Sequence, residues 1–388
     1  MKGKLKVLFF ISSLEGGGAE RVMVDLLRYI NRKRIAPTLV LLDSYEGSPY
    51  KKSLPQDFKT VVLSRKTDRI DEKIKQFAKF LITIREQNPD IIISFLTHTN
   101  ILAICASIIF RIKVIACQHI HLSESIKVEK RKEKLIGIPI KPLVKIFFRF
   151  ADKIITVSEE MKIDLIREFS IPANKVRVIY NPIDMSEITN LSHIHPEHPF
   201  FNEGTPILLS ISRFTKQKGL DTLIKAFNIL VMKMDLRLII LGKGPQKEFL
   251  KKMLKDFSLT DKVSLEGFHN NPYGFLSKAT IFILSSRYEG FPVVMLEALA
   301  CRTPIISTDC KSGPREILKG GKYGLLVPVE DENALSDGII RLLKDENLRK
   351  KLSKLGQERA SDFSIEHIVE QYENILYEVI LSKKDLNP

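Results

Sequence analysis

Residues 281–308 read IFILSSRYEGFPVVMLEALACRTPIIST. Two short apolar runs, IFIL and PIIST, bracket a turn and a helical segment. The first run has strand character. Arg287 to Phe291 form a loop in which Gly290 grants backbone freedom. Pro292 suits the first position of a helix, where a missing N–H costs nothing, and VVMLEALAC continues that helix. The order strand–loop–helix–strand is a βαβ unit, and such units build parallel sheets. Glu289 and Glu297 stand eight positions apart within it. They do not share a helix face: Glu289 belongs to the loop, and Glu297 lies about one and a half turns into the helix. The expected picture has Glu289 at the edge of a cleft, Glu297 deeper, and helix N–H groups between them that suit a phosphate. Glu in a first helical turn also stabilises a helix by about 0.3–1 kcal/mol with no ligand at all, so the pair alone decides nothing.

The same alternation extends outward in both directions. PILLSIS, RLIILG, VSLEGF and GLLVP read as further strands of the second half. KVLFFIS, PTLVLLD, KTVVLS, IIISFL, VIACQ, KIITVS and VRVIY read as strands of the first half, with amphipathic segments such as ERVMVDLLRYI between them. The fold class is therefore α/β, with two doubly wound domains facing a central cleft. The stretch MSEITNLSHIHPEHPFFNEGTP is polar and aperiodic and reads as a linker. The expected domains are residues 1–190 and 200–365, with a C-terminal amphipathic helix over 366–388 packing back on the first. Ligands of such domains sit at the carboxyl ends of parallel strands.

The chain has 388 residues, 44% of them hydrophobic, so two sizeable cores can form. No apolar stretch reaches the roughly 18 residues needed to span a bilayer. The most apolar run, ILAICASIIF at 101–110, is followed by Arg111 and Lys113 and reads as a buried helix. The N-terminal apolar run lacks a cleavage pattern and reads as a first strand. None of Cys105, Cys117, Cys301 and Cys310 has the spacing of a zinc or redox motif, which suits reduced thiols in a cytoplasmic protein. A net charge of +15 points to an anionic partner: nucleic acid, a membrane surface or a phosphorylated substrate. With no Trp and few Tyr, the sequence lacks the aromatic–basic interleaving of single-strand binders.

Several strand ends carry groups suited to anions. The first strand ends in SSLEGGGAER, where Gly17 and Gly18 let backbone N–H groups approach a ligand at a helix N-terminus; a purely structural tight turn reads equally from these residues. After PILLSIS come Arg213 and Lys218, a fork and a point charge that suit a diphosphate, or else a solvated basic loop. The turn Leu241-Gly242-Lys243-Gly244-Pro245 and the pair Gly267-Phe268 follow two further strands, and the latter can offer backbone groups to a base edge. No Asp-x-Asp and no His/Cys cluster occurs, so a metal-held diphosphate is not favoured and no metal is expected.

Taken together, SSRYEGFPVVMLEALA, GGGAER, SRFTKQKG, LGKGP and DCKSGPREIL with GLLVP resemble, in order, the signatures of the retaining family 4 glycosyltransferases. The resemblance implies the GT-B fold and a nucleotide-activated sugar donor with no bound metal or other cofactor. It implies that Arg213 and Lys218 bind the donor diphosphate, that Glu297 meets the ribose hydroxyls, and that Glu289 holds the donor sugar. Gly290, Phe291, Pro292 and Val293 would line sugar and phosphate, Gly242, Gly244 and Phe268 the nucleotide, and Gly17 and Gly18 the diphosphate from the other domain. His119, after VIACQ, matches the family's histidine near the reacting carbon, with His121 as its rival. Cys301-Arg302 stands where the family usually has Gly, so that loop can differ.

The closest resemblance is to bacterial enzymes that extend polyprenyl-diphosphate-linked or surface glycans. It implies transfer of a hexose or N-acetylhexosamine from a UDP-sugar to a glycan or lipid-linked acceptor, with the departing β-phosphate taking the acceptor proton. Residues 127–153 hold nine Lys/Arg against three acids, interleaved with IPI, PLV and IFF. A helix of that kind can lie on the anionic inner face of the cell membrane, and an amphipathic helix with a solvated basic face accounts for it equally. Arg69, Lys73 and residues 130–134 can likewise meet a lipid diphosphate. The alternatives are a UDP-sugar epimerase of GT-B fold and a non-catalytic GT-B subunit. A nucleic-acid binder lacks any recognition motif here.

Overall fold

A computed structural model describes residues 3–43, 48, 50–64, 69–128, 134–135 and 138–382. The chain divides into two compact units: residues 1–182 with 365–388, and residues 183–364.

Unit 1 follows the apolar periodicity closely. It begins with β1 (Leu5–Ile11), α1 (Gly18–Tyr29), β2 (Ile35–Leu41) and β3 (Lys59–Val62). It continues with α2 (Ile70–Gln87), β4 (Ile91–Phe95), α3 (Thr97–Phe110) and β5 (Lys113–Gln118). A short helix α4 (Leu122–Val128) precedes a two-residue hairpin pair, β6 (Lys134–Leu135) and β7 (Ile138–Pro139). Then come α5 (Ile140–Phe147), β8 (Lys153–Thr156), α6 (Glu159–Phe169) and β9 (Val176–Val178). The seven-stranded sheet has the order β3-β2-β1-β4-β5-β8-β9 and is parallel throughout. Its central strands are buried on both faces, as parallel sheets require. On one face Leu8, Phe10, Ile92, Val114 and Ile154 pack under α2, α3, α5 and α6.

The basic stretch 127–153 is not one helix. It breaks into α4, the β6/β7 pair, α5 and a 3₁₀ turn over Phe148–Phe150, in keeping with Gly137, Pro139 and Pro142 in its middle; residues 129–133 and 136–137 lie outside the described ones. The 101–110 run is helical as expected, but Ile108 and Ile109 are exposed, so it is not buried all round.

Unit 2 opens with α7 (Met185–Ser192), in the stretch whose composition predicts an irregular linker. Asp184 explains the helix: its carboxylate caps the Glu187 N–H at 2.8 Å. The unit continues through β10 (Ile207–Ile211), α8 (Leu220–Val231), β11 (Arg237–Leu241), α9 (Lys247–Asp256) and β12 (Val263–Glu266). After these come α10 (Tyr273–Lys278), β13 (Ile281–Leu284), α11 (Val293–Ala300), β14 (Ile305–Thr308), α12 (Pro314–Ile317) and β15 (Leu325–Val327). Two helices, α13 (Glu332–Lys344) and α14 (Glu346–Ala360), complete it. Its parallel sheet has the order β12-β11-β10-β13-β14-β15. The last helix, α15 (Ile365–Leu381), belongs to unit 1, where Tyr372 stacks near Phe95 and Glu373 accepts the Asn31 N–H at 2.7 Å. Among the described residues no helix is long and apolar enough to cross a membrane.

Candidate active site

In the six-stranded sheet the chain runs outward from β10 to β11 and β12, then crosses to the other side of β10 with β13. Parallel sheets open a crevice at the strand carboxyl ends where their order reverses. Arg213 leaves the end of β10 and Glu289 the end of β13, so both flank that crevice.

Between Arg213 and α8 lies a tight turn, Lys216–Lys218, closed by Gly219 in the left-handed conformation. A Cβ on Gly219 would stand 2.1 Å from the Ser285 carbonyl oxygen, so only glycine lets this turn press on the end of β13. That approach brings Lys218 onto the quoted loop. Lys218 Nζ donates to Glu289 Oε1 at 2.5 Å, and Ser286 Oγ donates to the same oxygen at 2.6 Å. Both side chains of the ion pair are largely buried, 14% and 6% exposed. The loop main chain is fixed from the opposite side: the Glu289 N–H donates to the Lys311 carbonyl and Ser312 Oγ to the Glu289 carbonyl.

Arg213 differs from Lys218. It is exposed and has no carboxylate partner among the described residues. One cation of the crevice is thus held by a carboxylate, and the other is open to an anion.

The depth expected for the two glutamates is reversed. Glu289 is buried, because Lys218 and Ser286 draw its carboxylate inward, while Glu297 on α11 is half-buried and accepts from the Tyr273 hydroxyl at 3.3 Å. Glu297 still acts on its surroundings: burial, with the Glu297 charge added, pushes the Cys301 thiol up to about 12. Burial and the Glu289 charge also raise the Cys310 thiol. Pro292 stands one place before the first helical residue, Val293. Phe291 turns inward onto Phe363, ring centroids 5.3 Å apart, and Gly290, Pro292 and Val293 are buried beside it.

The neighbouring strand ends are laced to this centre. Ser212 N–H donates to Leu241 O, Phe214 N–H to Lys243 O and Gly242 N–H to Gly267 O. Gly242 has φ +143°, and a Cβ there would lie 1.9 Å from the Ser212 carbonyl oxygen. Gly244 follows in the same turn. Phe268 is 40% exposed beyond β12, with Lys243 Nζ 5.7 Å from its ring centre. An open groove of about 540 Å³ along α9 and β12 contains none of these residues.

Unit 1 has its own order reversal, between β1 and β4. The glycine turn after β1 is occupied by the chain itself: the N–H groups of Gly16 and Gly17 donate to Glu20 Oε2 at 2.6 and 2.5 Å. Gly18 is the first residue of α1, and Glu20, at the third, reaches back as a capping carboxylate. After β4, Leu96 has φ +77°, a conformation costly for a side chain with a Cβ. Its N–H donates to the Cys117 carbonyl, which ties the two strand ends together.

His119 follows β5 and stacks on Phe95 at 5.0 Å. Both ring nitrogens are buried with no hydrogen-bond partner among the described residues. Burial lowers its pKa to about 3, and Asn181 stands close enough to offset this slightly without a well-formed hydrogen bond. The imidazole is therefore neutral at pH 7. His121, the rival, is buried against Asp164, 3.5 Å away.

Two family models match the chain: Glycosyltransferase Family 4 over residues 16–187 and Glycosyl transferases group 1 over residues 193–359. An uncharacterised glycosyltransferase of Methanocaldococcus jannaschii is 32% identical over 78% of this chain and 83% of that protein. The chain belongs to the family 4 glycosyltransferases. Another relative is the Campylobacter jejuni N-acetylgalactosamine-N,N'-diacetylbacillosaminyl-diphospho-undecaprenol 4-alpha-N-acetylgalactosaminyltransferase, 31% identical over 92% of this chain and 95% of that one. The crystal structure of Anabaena HepE with UDP covers 96% of this chain and 100% of its own, with a TM-score of 0.78 at 20% identity. The fold is GT-B.

Within this family 4 glycosyltransferase, unit 2 brings Lys218 and Glu289 into contact and sets Arg213 on the same crevice; Gly17, Gly18 and His119 are in unit 1. Sequence reasoning passes over the residues that hold the pair. Arg287 forks onto Asp221 at 3.0 and 2.8 Å, reaches Glu330 at 2.6 Å and donates to the Lys216 carbonyl at 2.6 Å. Gln217 Nε2 donates to the Tyr288 carbonyl at 3.0 Å. These bonds clamp the Lys218 turn to the Glu289 loop. Arg287 is visible in SSRYEG, but its partner lies 66 positions away, and no local pattern links them.

Proposed function

We propose that the chain transfers a sugar, with retention of configuration, from a UDP-sugar to a hydroxyl of a glycan or polyprenyl-diphosphate-linked acceptor. The carrying observation is the crevice of unit 2, where a buried Lys218–Glu289 pair shares the strand ends with an Arg213 that has no carboxylate partner among the described residues. Donor diphosphate fits between the two cations, and the free guanidinium fork supplies the bidentate contact. As the bond from the anomeric carbon to the diphosphate oxygen breaks, charge grows on that phosphate, and Arg213 and Lys218 stabilise it electrostatically. The acceptor oxygen bonds to the same carbon from the same face, and its proton passes to the departing β-phosphate. Glu289 holds the donor sugar hydroxyls, and Glu297 those of the ribose. The main chain of Gly290, Phe291, Pro292 and Val293 lines sugar and phosphate, with Gly242, Gly244 and Phe268 around the nucleotide.

In unit 1, neutral His119 offers its ring nitrogens to the transferred sugar. Gly17 and Gly18 face the diphosphate once Glu20 gives way. Solved GT-B neighbours carry UDP and, in one case, UDP with glucose, and a relative acts on a diphospho-undecaprenol glycan; these support the donor and acceptor classes. A hexose or N-acetylhexosamine donor follows, with the chain at the cytoplasmic face of a membrane that holds the acceptor. Nucleic acid has no place in this reading.

The test offers UDP-, GDP- and ADP-sugars with lipid-diphosphate acceptors and reads the anomeric proton coupling of the product. An α-linked product from an α-linked UDP-sugar is expected. A β-linked product ends the claim of retention. Conversion of the donor sugar without acceptor would make the chain an epimerase.

A further inference from the structure

In one helix layer of unit 1 the outer ends of α3 and α5 are apolar where water-facing helices carry charge. α2, α3, α5 and α6 share one face of the sheet, joined through Phe80, Ile104, Val144 and Leu165 in a common core. A helix so placed buries one stripe and turns polar residues outward. α3 has no charged residue anywhere in Thr97–Phe110. At its outer end Ile108 and Ile109 are 49% and 58% exposed; next to it Ile146 and Phe150, on α5 and the turn after it, are 56% and 58% exposed. α3 packs on α5 and on the turn after it, so these four side chains form one patch, whereas the exposed isoleucines of α2 and α6 stand among charged residues.

Positive charge fringes it. Residues 140–150 carry Lys141, Lys145 and Arg149 and no acid. Lys141 leans toward Glu168 at 3.7 Å, whereas Arg111, Lys145 and Arg149 have no carboxylate partner among the described residues. Apolar side chains rimmed by unpaired cations match the chemistry of an anionic bilayer surface: acyl boundary for the first, headgroup phosphates for the second. A second copy fits less well, because a two-fold contact would set the same cations against each other.

We infer that this face of unit 1 docks on an anionic lipid surface through Ile108, Ile109, Ile146 and Phe150, with Arg111, Lys145 and Arg149 at the headgroups. The purpose rests on the proposed function, since a lipid-linked acceptor is presented at such a surface. The docking is independent of the transfer chemistry and is measured without substrate.

The chain has no tryptophan, which gives a direct reporter. Ile109→Trp and Phe150→Trp each place a single indole on the face; Phe249→Trp places one on α9 of unit 2, at a side chain 49% exposed. With vesicles of phosphatidylcholine and phosphatidylglycerol, the emission of the first two should shift to the blue, and that of the third should not. Vesicles of phosphatidylcholine alone should give a smaller shift. Lys145→Gln with Arg149→Gln should lower the partition coefficient on the order of thirtyfold, from about 1 kcal/mol per basic residue near a charged surface. The inference falls if all three positions respond alike or none responds, or if the double Gln variant partitions as the parent does. It falls too if light scattering shows a dimer that Phe150→Asp converts to monomer, since a second copy would then cover the face.

Discussion

At the β10/β13 crevice of unit 2, charge is buried and paired: Lys218 meets Glu289 at 2.5 Å with Ser286 on the same oxygen. At the β1/β4 crevice of unit 1, the glycine N–H groups are held by Glu20, and the buried His119 ring after β5 is neutral. Both sheets reverse their order, and both carry a glycine-bearing turn after a central strand. The difference lies in what each turn is stiffened by. Unit 2 braces its turn with long-range ion pairs, Arg287 to Asp221 and Glu330 as well as Lys218 to Glu289. Unit 1 uses a local cap and a strained Leu96. A cationic, braced crevice suits an anionic ligand, whereas the unit 1 crevice keeps a carboxylate of its own on the glycine turn.

Cutting the buried pair should disturb unit 2 more than any other single change at its crevice. Lys218→Met leaves the Glu289 carboxylate inside the crevice without its counter-charge, and breaking such a pair costs about 3–5 kcal/mol. Glu289→Gln added to it should restore most of the loss, because the uncompensated charge is gone. Urea unfolding of both single variants and the double reads the coupling. Strictly additive effects would mean that the two groups do not support each other. Activity should be lost in all three.

Arg213→Met separates chemistry from stability. Its side chain is exposed and has no carboxylate partner among the described residues, so unfolding should move by less than about 0.5 kcal/mol. Turnover should fall by about 10²–10³, or ~2.7–4 kcal/mol of transition-state stabilisation. Turnover near that of the parent would remove Arg213 from the diphosphate site.

On the neutral side, His119 sets an acid limit. Its folded pKa is about 3, against about 6.5 for an unperturbed imidazole. Between these values the unfolded chain binds a proton that the folded chain refuses, so stability falls as pH drops below 6.5 and the loss is complete near 3. At pH 5 this amounts to about 2 kcal/mol. His119→Phe should lack that component, so between pH 7 and pH 5 the parent should lose about 2 kcal/mol more stability than the variant. Parallel curves would show that the imidazole titrates normally.

The strands were open to sequence reading because each is a short β-branched run that a parallel sheet buries on both faces. IFIL, PIIST and RLIILG sit in the six-stranded sheet as read, and KVLFFIS and IIISFL at the centre of the seven-stranded one. The strand-end positions of Arg213 and Glu289 were legible for the same reason: both follow strands whose ends could be counted. Three-dimensional pairing was not legible. Nothing in KQKG announces that Lys218 will meet a glutamate 71 positions later, and the burial of Glu289 below Glu297 follows from that meeting. α7 was missed because its polar composition hid the Asp184 cap. The apolar run of α3 gave its helix but not its outward face, since a helix without charges reads as buried wherever it lies.

The smallest expected effect tests whether the unit 1 turn is only a cap. Glu20 accepts two N–H groups of the turn after β1, and loss of a capping interaction costs about 0.5–2 kcal/mol. Glu20→Ala should therefore lower stability by about 1 kcal/mol. If the carboxylate only closes the helix, kinetic constants should stay as they were once the protein is folded. If it also holds a place that the donor diphosphate must take, the apparent KM for donor should fall while kcat changes little, because the anion no longer displaces an internal one. Glu20→Gln divides the two accounts further: the amide oxygen can still cap the N–H groups, but without the negative charge that competes with phosphate. Parent-like stability with a lowered KM in Glu20→Gln would assign both tasks to this one side chain.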